Sequence, residues 1–223
     1  MGNKKIYGFF GTPSYDMIIY LAAIITNLGK RVLVIDHSIE QDIMSCYIHP
    51  KEKINFFHYK NVDYTTKITL SSLDNLEYEY IFLYEDESSI ETNIYDGIIV
   101  VSDFKKYNLK KVGELAKRFH GEVQFTIRDI CHDKLNKQYI LKKYLKLDTN
   151  TFDYNVIELD YYDFAYRIAM THEYYQGFRH LSKSYKNCLL KIARWMEDPT
   201  DKILYQAYHL AERGRSIGSS FLE

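Results

Sequence analysis

The fold class is decided by residues 5–36, which read Lys5-Ile-Tyr-Gly-Phe-Phe-Gly-Thr-Pro-Ser-Tyr-Asp-Met-Ile-Ile-Tyr-Leu-Ala-Ala-Ile-Ile-Thr-Asn-Leu-Gly-Lys-Arg-Val-Leu-Val-Ile-Asp36. The short apolar run from Ile6 to Phe10 predicts a buried strand, and residues 31–36 predict a second one. Between them, residues 18–28 are apolar on almost every side, which predicts a buried helix that stops at Gly29. Two strands joined by a helix indicate a parallel pair with a right-handed crossover.

The rest of the chain repeats this alternation of strands and helices. Further strands are predicted at residues 78–84, 97–102, 123–127 and 154–159, and helices at residues 109–119, at residues 134–146 and from residue 164 onward. Residues 37–76 carry a weaker pattern, in which residues 55–58 and 67–70 could be short strands or loops. The pattern predicts an α/β protein with a doubly wound, mostly parallel sheet, helices on both faces and a helical C-terminus.

Length and composition bound the organisation and the classes of function. We expect one domain over residues 1–212 and a flexible tail at residues 213–223. The formal net charge is −1 over 223 residues with acidic and basic residues interspersed, so no global field favours nucleic acid. No signal peptide and no apolar run of membrane-spanning length is evident, so a cytoplasmic location is expected. The three cysteines lie far apart without metal-binding spacing, so no metal site is predicted.

The turn between the first strand and the first helix, residues 11–16, lies where a phosphate-binding loop would sit. Such a loop uses consecutive backbone N–H groups, a lysine that neutralises phosphate charge and a hydroxyl that holds magnesium. Here Pro13 has no N–H, the turn contains no lysine, and Asp16 adds a negative charge. Tight ATP binding in the usual pose is therefore not expected, and no cofactor is predicted.

The order of these motifs resembles that of a known family. Its markers are Leu28-Gly-Lys-Arg-Val-Leu-Val-Ile-Asp36, then Tyr78-Glu-Tyr-Ile-Phe-Leu-Tyr84, then Tyr95-Asp-Gly-Ile-Ile-Val-Val-Ser102. Over roughly the first two thirds of the chain the sequence resembles the ParA/MinD family of deviant Walker ATPases, including the TadZ/CpaE-like branch that positions pilus or secretion machinery. The resemblance implies a fold of the P-loop NTPase type, and a homodimer.

Carried over residue by residue, the resemblance indicates a degenerate site. The family's Gly-Lys-Thr-Thr falls on Pro13, Ser14, Tyr15 and Asp16, its magnesium-ordering Asp on Tyr84, and its adenine-reading Asn on Arg128. Only Asp36, at the end of the second strand, matches a functional residue of the family. No catalytic residue is assigned, and the vestigial cofactor-binding candidates are Gly11, Thr12, Ser14 and Asp36. A simpler interpretation makes Gly11 a turn residue and Ser14 or Asp16 the cap of the first helix.

These losses favour a non-hydrolysing pseudo-ATPase that acts as a scaffold or localisation factor. The resemblance implies pilus or secretion machinery as its setting, a homodimeric state and a protein partner. One alternative is a nucleotide-binding switch or ATPase with an atypical phosphate loop. A second is a DNA-partitioning protein, although a nucleic-acid partner is not expected. That role would use Lys105, Lys106, Lys110, Lys111, Lys117 and Arg118, or the helix at residues 137–146.

An aromatic-rich region follows the last predicted strand. Core packing explains part of this enrichment, but tyrosine is also common at interfaces because it buries area while keeping a polar tip. A partner or dimer surface is therefore hypothesised for Tyr161, Tyr162, Phe164, Tyr166, Tyr174, Tyr175 and Phe178.

Overall fold

A single sheet of eight strands organises the described part of the chain. The computed structural model describes residues 4–47, 55–69, 72–73, 76–85, 94–131, 137–145, 154–172 and 177–215. The strands are β1 (Lys5–Gly11), β2 (Val32–Asp36), β3 (Phe56–Tyr59), β4 (Val62–Thr65), β5 (Tyr80–Tyr84), β6 (Gly97–Ser102), β7 (Glu122–Ile130) and β8 (Tyr154–Glu158). Their order across the sheet is β3-β4-β2-β5-β1-β6-β7-β8.

Strand direction confirms the predicted fold class. All neighbours pair in parallel except β3 and β4, which form an antiparallel pair at one edge. The strand β1 lies between β5 and β6, and the chain moves to opposite sides of it in its first and second halves. In such doubly wound sheets, ligand sites form at the carboxyl ends of the strands where the order reverses. The turn at residues 11–16 occupies that place.

Helices cover both faces of the sheet. They are α1 (Tyr15–Asn27), α2 (Asp42–Ser45), α3 (Lys106–Arg118), α4 (Lys137–Leu145), α5 (Tyr161–Met170), α6 (Lys183–Glu197) and α7 (Asp201–Glu212). Because side chains alternate along a strand, Phe9 joins the core shared with α1, α6 and α7, and Phe10 joins the core shared with α3 and α4. No helix among these residues has the length and apolar character needed to cross a membrane.

The first helix is the most enclosed element. Every residue of α1 is buried, because the sheet covers one side and α6 and α7 cover others. The nearly continuous apolar pattern of the sequence is the local cause of this arrangement. A charged residue within α1, such as Asp16, therefore needs a partner inside the protein.

Some boundaries differ from the sequence-based expectations. Residues 55–58 overlap β3, whereas residues 67–69 are not part of a strand. The helical region expected from residue 164 onward begins at Tyr161, and its described residues form three helices, α5, α6 and α7. Of the predicted tail, Gly214 N donates to Ala211 O at 2.8 Å and Arg215 N donates to Leu210 O at 2.9 Å. Residues 216–223 lie outside the described part.

We expect the substitution Gly113→Ala to lower the free energy of unfolding by about 1–3 kcal/mol, because an added methyl group overpacks a closed contact. A Cβ on Gly113 would lie 2.7 Å from Leu145 O and 2.9 Å from Leu145 Cα, where α3 meets α4. Urea denaturation followed by circular dichroism measures the change. The control Lys110→Ala, at an exposed position of the same helix, should leave stability within about 0.5 kcal/mol of the parent.

Candidate functional site

The turn at residues 11–16 is closed onto the neighbouring strand β6. Gly11 has a φ of 105°, and a Cβ at this position would collide with the carbonyl oxygen of Val101. Thr12 N donates to the same carbonyl at 2.9 Å. Glycine is required at position 11 because only it combines this backbone angle with so close an approach.

A buried ion pair lies behind the turn. Asp16, in the first turn of α1, and Arg128, on β7, are 0% and 2% exposed. The guanidinium group binds the carboxylate through two hydrogen bonds, Nη1 to Oδ1 at 3.0 Å and Nη2 to Oδ2 at 2.8 Å. Arg128 Nη1 also donates to Pro13 O at 3.2 Å. This bidentate contact joins the turn to β7.

Tyr185, on α6, completes the environment of this pair. Its hydroxyl donates to Asp16 Oδ2 at 2.9 Å, and its ring centroid lies 5.7 Å from Arg128 Cζ. Burial opposes the ionisation of Asp16, but the guanidinium charge and these hydrogen bonds outweigh it and hold the pKa of the carboxyl below its usual value. Burial also disfavours the charged form of Arg128, and Asp16 outweighs it and raises the pKa of Arg128. Both groups are therefore charged.

Tyr84 fills the space next to the turn. It lies on β5 in register with Phe9 of β1 and Asp36 of β2, and it is buried. Its hydroxyl donates to Asp42 Oδ2 at 3.2 Å. Burial raises the pKa of Tyr84, so the side chain is neutral. A bulky, neutral phenol thus fills the end of β5 beside the turn.

The candidate binding residues separate into two groups. Gly11, Thr12 and Ser14 share the turn, and the hydroxyl oxygens of Thr12 and Ser14 are buried without a protein hydrogen-bond partner. Ser14 is the N-cap residue of α1, but its side chain makes no capping hydrogen bond, so the interpretation of Ser14 as a side-chain cap is wrong. The carboxylate of Asp16, two residues on, instead binds Arg128.

Asp36 is occupied by donors of its own neighbourhood. Its Oδ1 accepts from Ser38 N at 3.0 Å and from Ser38 Oγ at 2.6 Å. Its Oδ2 accepts from Ile43 N at 2.8 Å and from Met44 N at 3.3 Å, so Asp36 anchors the short helix α2. Burial raises the pKa of Asp36, although these hydrogen bonds oppose the rise. Four donors already satisfy the side chain that resemblance assigns to water activation or magnesium.

Another polar chain lies at the same edge of the sheet. His37 Nδ1 lies 3.1 Å from Glu85 Oε1, His37 Nε2 lies 2.9 Å from Ile68 O, and the Tyr95 hydroxyl donates to Glu85 Oε2 at 2.8 Å. Both imidazole nitrogens face acceptors, an arrangement that is fully satisfied only when His37 is protonated. Glu85 is therefore committed to His37 and Tyr95.

Lysines considered for nucleic-acid binding lie on solvated helix faces. Lys105 contacts Asp103 at 3.1 Å, Lys117 contacts Glu114 at 3.1 Å, and Lys143 Nζ lies 3.1 Å from the Tyr139 hydroxyl. Several of these lysines thus already contact nearby side chains of the protein, as is common for charged residues on exposed helix faces. Within the described ranges, no cluster of three or more His, Cys, Asp or Glu side chains could hold a metal ion.

Solved structures share this architecture. A MinC:MinD cell division protein complex from Aquifex aeolicus matches at a TM-score of 0.58 and 11% identity, covering 88% of this chain and 96% of that chain. A ParA family ATPase from Chlorobium tepidum TLS matches at a TM-score of 0.53 and 13% identity, covering 94% of this chain and 98% of that chain. This chain has the ParA/MinD fold. An ATP complex of McdA from Cyanothece agrees at a TM-score of 0.58 and 10% identity, over 86% of this chain and 97% of that chain.

The similarity to ParA/MinD proteins is one of structure and not of sequence. No protein-family model matches the sequence, and a comparison with curated proteins finds no match. At such low identities the shared fold carries no residue roles, so function has to be argued from the site.

The sequence reasoning missed the contact that dominates the site. It noted Asp16 as a charge in the turn and Arg128 as a lost asparagine, but did not join them. The available signal was the isolated acid at the start of an almost wholly apolar helix, which requires a buried cation. Tyr185, in the C-terminal helical region, gave no comparable signal.

Removing one member of the ion pair should destabilise the protein strongly, and removing the second charge as well should restore much of the stability. We expect Arg128→Met to lower the free energy of unfolding by about 3–5 kcal/mol, because it leaves the Asp16 charge buried without a partner. The double variant Asp16→Asn with Arg128→Met should recover much of this loss. Chemical denaturation measures both, and an unchanged midpoint in the single variant would show that the pair is energetically unimportant.

The His37 contact predicts a pH dependence. The hydrogen bond to Glu85 raises the pKa of His37 above its ordinary value of 6.5, although burial opposes the rise. The stabilisation is therefore complete below pH 6.5 and is lost as the pH increases through the raised value. Urea midpoints from about pH 6 to pH 9 should fall less steeply in His37→Gln than in the parent. The exposed control His120→Gln should keep the parent's slope, and parallel curves for all three proteins would refute the assignment.

Proposed function

We propose that this protein is a non-hydrolysing pseudo-ATPase with the ParA/MinD fold, acting in the cytoplasm as a scaffold or localisation factor for pilus or secretion machinery. The observation that carries the proposal is the buried Asp16–Arg128 pair behind the turn. In a working phosphate loop, the ligand supplies the negative charge and the protein supplies the positive charge. Here Asp16 supplies the negative charge itself, and Arg128 is already paired with it.

The backbone of the turn supports the same conclusion. Thr12 N is bonded to Val101 O, and Pro13 has no N–H. Two of the three residues between Gly11 and α1 therefore lack a free amide. A phosphate cradle depends on several such amides aimed at one point.

Charge also opposes a nucleotide at this place. A phosphate that displaced Asp16 from Arg128 would leave a buried carboxylate without its partner, which costs about 3–5 kcal/mol. A phosphate that did not displace it would face the carboxylate charge directly. Transfer of a phosphoryl group depends on charge neutralisation and positioning, and this turn offers neither a lysine nor a carboxylate free to hold magnesium.

The closed turn predicts that nucleotides do not bind there. Calorimetry with ATP, ADP or GTP and magnesium should detect no dissociation constant in the micromolar range at the turn, and phosphate release should not exceed that of buffer. Arg128→Met should not create hydrolysis, because magnesium ligands are still lacking. Micromolar binding together with turnover in the parent would support the alternative of an ATPase with an atypical phosphate loop.

Association is proposed to rest on protein contacts alone. On α5, Tyr161, Phe164 and Ile168 are 77%, 47% and 44% exposed and recur at helical spacing along one face, with Tyr162 57% exposed beside them. Exposed apolar surface of this kind is typical of protein interfaces. We propose this face of α5 as the surface for a homodimer or protein partner.

The prediction that Phe178 belongs to a partner or dimer surface is wrong. Phe178 is fully buried and contacts the rings of Tyr20 and Tyr208, so it belongs to the core and not to a surface. Tyr166 is half-buried, and Tyr174 and Tyr175 lie outside the described residues. The proposed surface is thus restricted to the outward side of α5.

A triple variant tests this surface. Tyr161→Ser, Phe164→Ser and Ile168→Ser together should convert a dimer to a monomer in size-exclusion chromatography with light scattering, because they remove the exposed apolar side chains. Tyr107→Ser, at a residue 73% exposed on α3, is the matched control and should leave the mass unchanged. A parent chain that is monomeric at high micromolar concentration would contradict the proposed homodimer.

A further inference from the structure

A cationic cavity lies apart from the turn. It has a volume of about 390 Å³ and is lined by Tyr166, Gly177, Arg179, His180, Glu212, Arg213 and Arg215. None of these residues belongs to the turn at residues 11–16. The described lining includes three arginines and a histidine, all exposed to solvent, so an anion in the cavity would meet several hydrogen-bond donors.

The protein supplies little of that compensation. Arg179, Arg213 and Arg215 have no acidic partner within 4.0 Å among the residues the structure describes. Among the described lining residues the one acid is Glu212, and it is occupied elsewhere: its Oε1 contacts His209 Nδ1 at 2.8 Å, and its Oε2 lies 3.8 Å from Lys186 Nζ. The described part of the lining therefore carries more positive than negative charge.

Backbone contacts hold the two cationic segments side by side. A Cβ on Gly177 would lie 2.5 Å from Glu212 O, and Phe178 N donates to that oxygen at 2.9 Å. At the other rim, Arg215 O accepts from Asn27 Nδ2 at 3.1 Å. The packing of the chain thus holds the backbones that carry Arg179, Arg213 and Arg215 around the same cavity.

We propose that this cavity binds a small phosphate-bearing anion. Guanidinium groups match phosphate oxygens with paired, charge-assisted hydrogen bonds, and several can share one phosphate group. The volume is at the lower end of the range for small-molecule sites, about 300–1,000 Å³. His180 stacks on Tyr166 with an interplanar angle of 20°, which provides an aromatic wall beside the cationic groups.

The test uses the full chain with inorganic diphosphate as the probe, followed by calorimetry and by ³¹P NMR. The parent should bind, and Arg179→Gln with Arg213→Gln should weaken binding by about tenfold or more, since each charged hydrogen bond is worth about that factor. The matched control Arg118→Gln removes an exposed arginine of α3 and should bind like the parent. Thermal melting by circular dichroism verifies that all three proteins are folded.

A second set of measurements tests whether the bound phosphate belongs to a lipid headgroup or to a free anion. Vesicles of phosphatidylcholine with and without phosphatidic acid distinguish a lipid headgroup from a free anion, because only the former makes the protein sediment with the vesicles. Absence of diphosphate binding, or equal binding by the double variant, overturns the proposal. Binding of a DNA duplex without diphosphate binding overturns it as well and assigns the arginines to nucleic acid.

The same variants separate this cavity from the turn. ATP bound through its phosphates at the cavity is lost in Arg179→Gln with Arg213→Gln, and that result leaves the proposed pseudo-ATPase intact. ATP bound with unchanged affinity by the double variant lies elsewhere and counts against the pseudo-ATPase, whatever the outcome with diphosphate.

Discussion

The buried contact between Asp16 and Arg128 is the interaction on which the centre of this protein depends. Burying either charge costs on the order of several kcal/mol. The two hydrogen bonds between Arg128 and Asp16, together with the one from the Tyr185 hydroxyl, offset that cost. The three residues come from α1, β7 and α6. One electrostatic requirement therefore fixes the position of the first helix against the far half of the sheet and the C-terminal helical region.

This arrangement explains how a fold built around a phosphate-binding turn can be stable without phosphate. An open turn leaves helix amides, a strand-end acid and a cation that an external ligand satisfies. Here Val101 O takes the Thr12 amide, α2 satisfies Asp36, and Asp16 satisfies Arg128. Polar groups around the turn thus bond to partners within the chain, and this is the physical basis of the proposed loss of ATPase chemistry.

If the centre is closed, recognition has to occur at the surface. Two features stand out there: the exposed apolar face of α5 and the cationic cavity formed near the end of α7. Tyr166 links them, since it belongs to α5 and its ring stacks on His180 in the cavity wall. A protein partner on one side of α5 and an anion on the other would both act on this helix, which gives the two proposals a common structural element.

The sequence alone determined the fold class, because the period of apolar residues reports burial directly: α1 is buried throughout, and the runs at β1, β2, β5 and β6 are central strands. It also located the turn and the absence of its lysine. Tertiary structure alone decided that Asp16 meets Arg128 and Tyr185, that Asp36 anchors α2, and that the arginines near Gly177 converge. These contacts join residues as far apart as positions 16 and 185, and periodicity carries no information about which distant side chains pair.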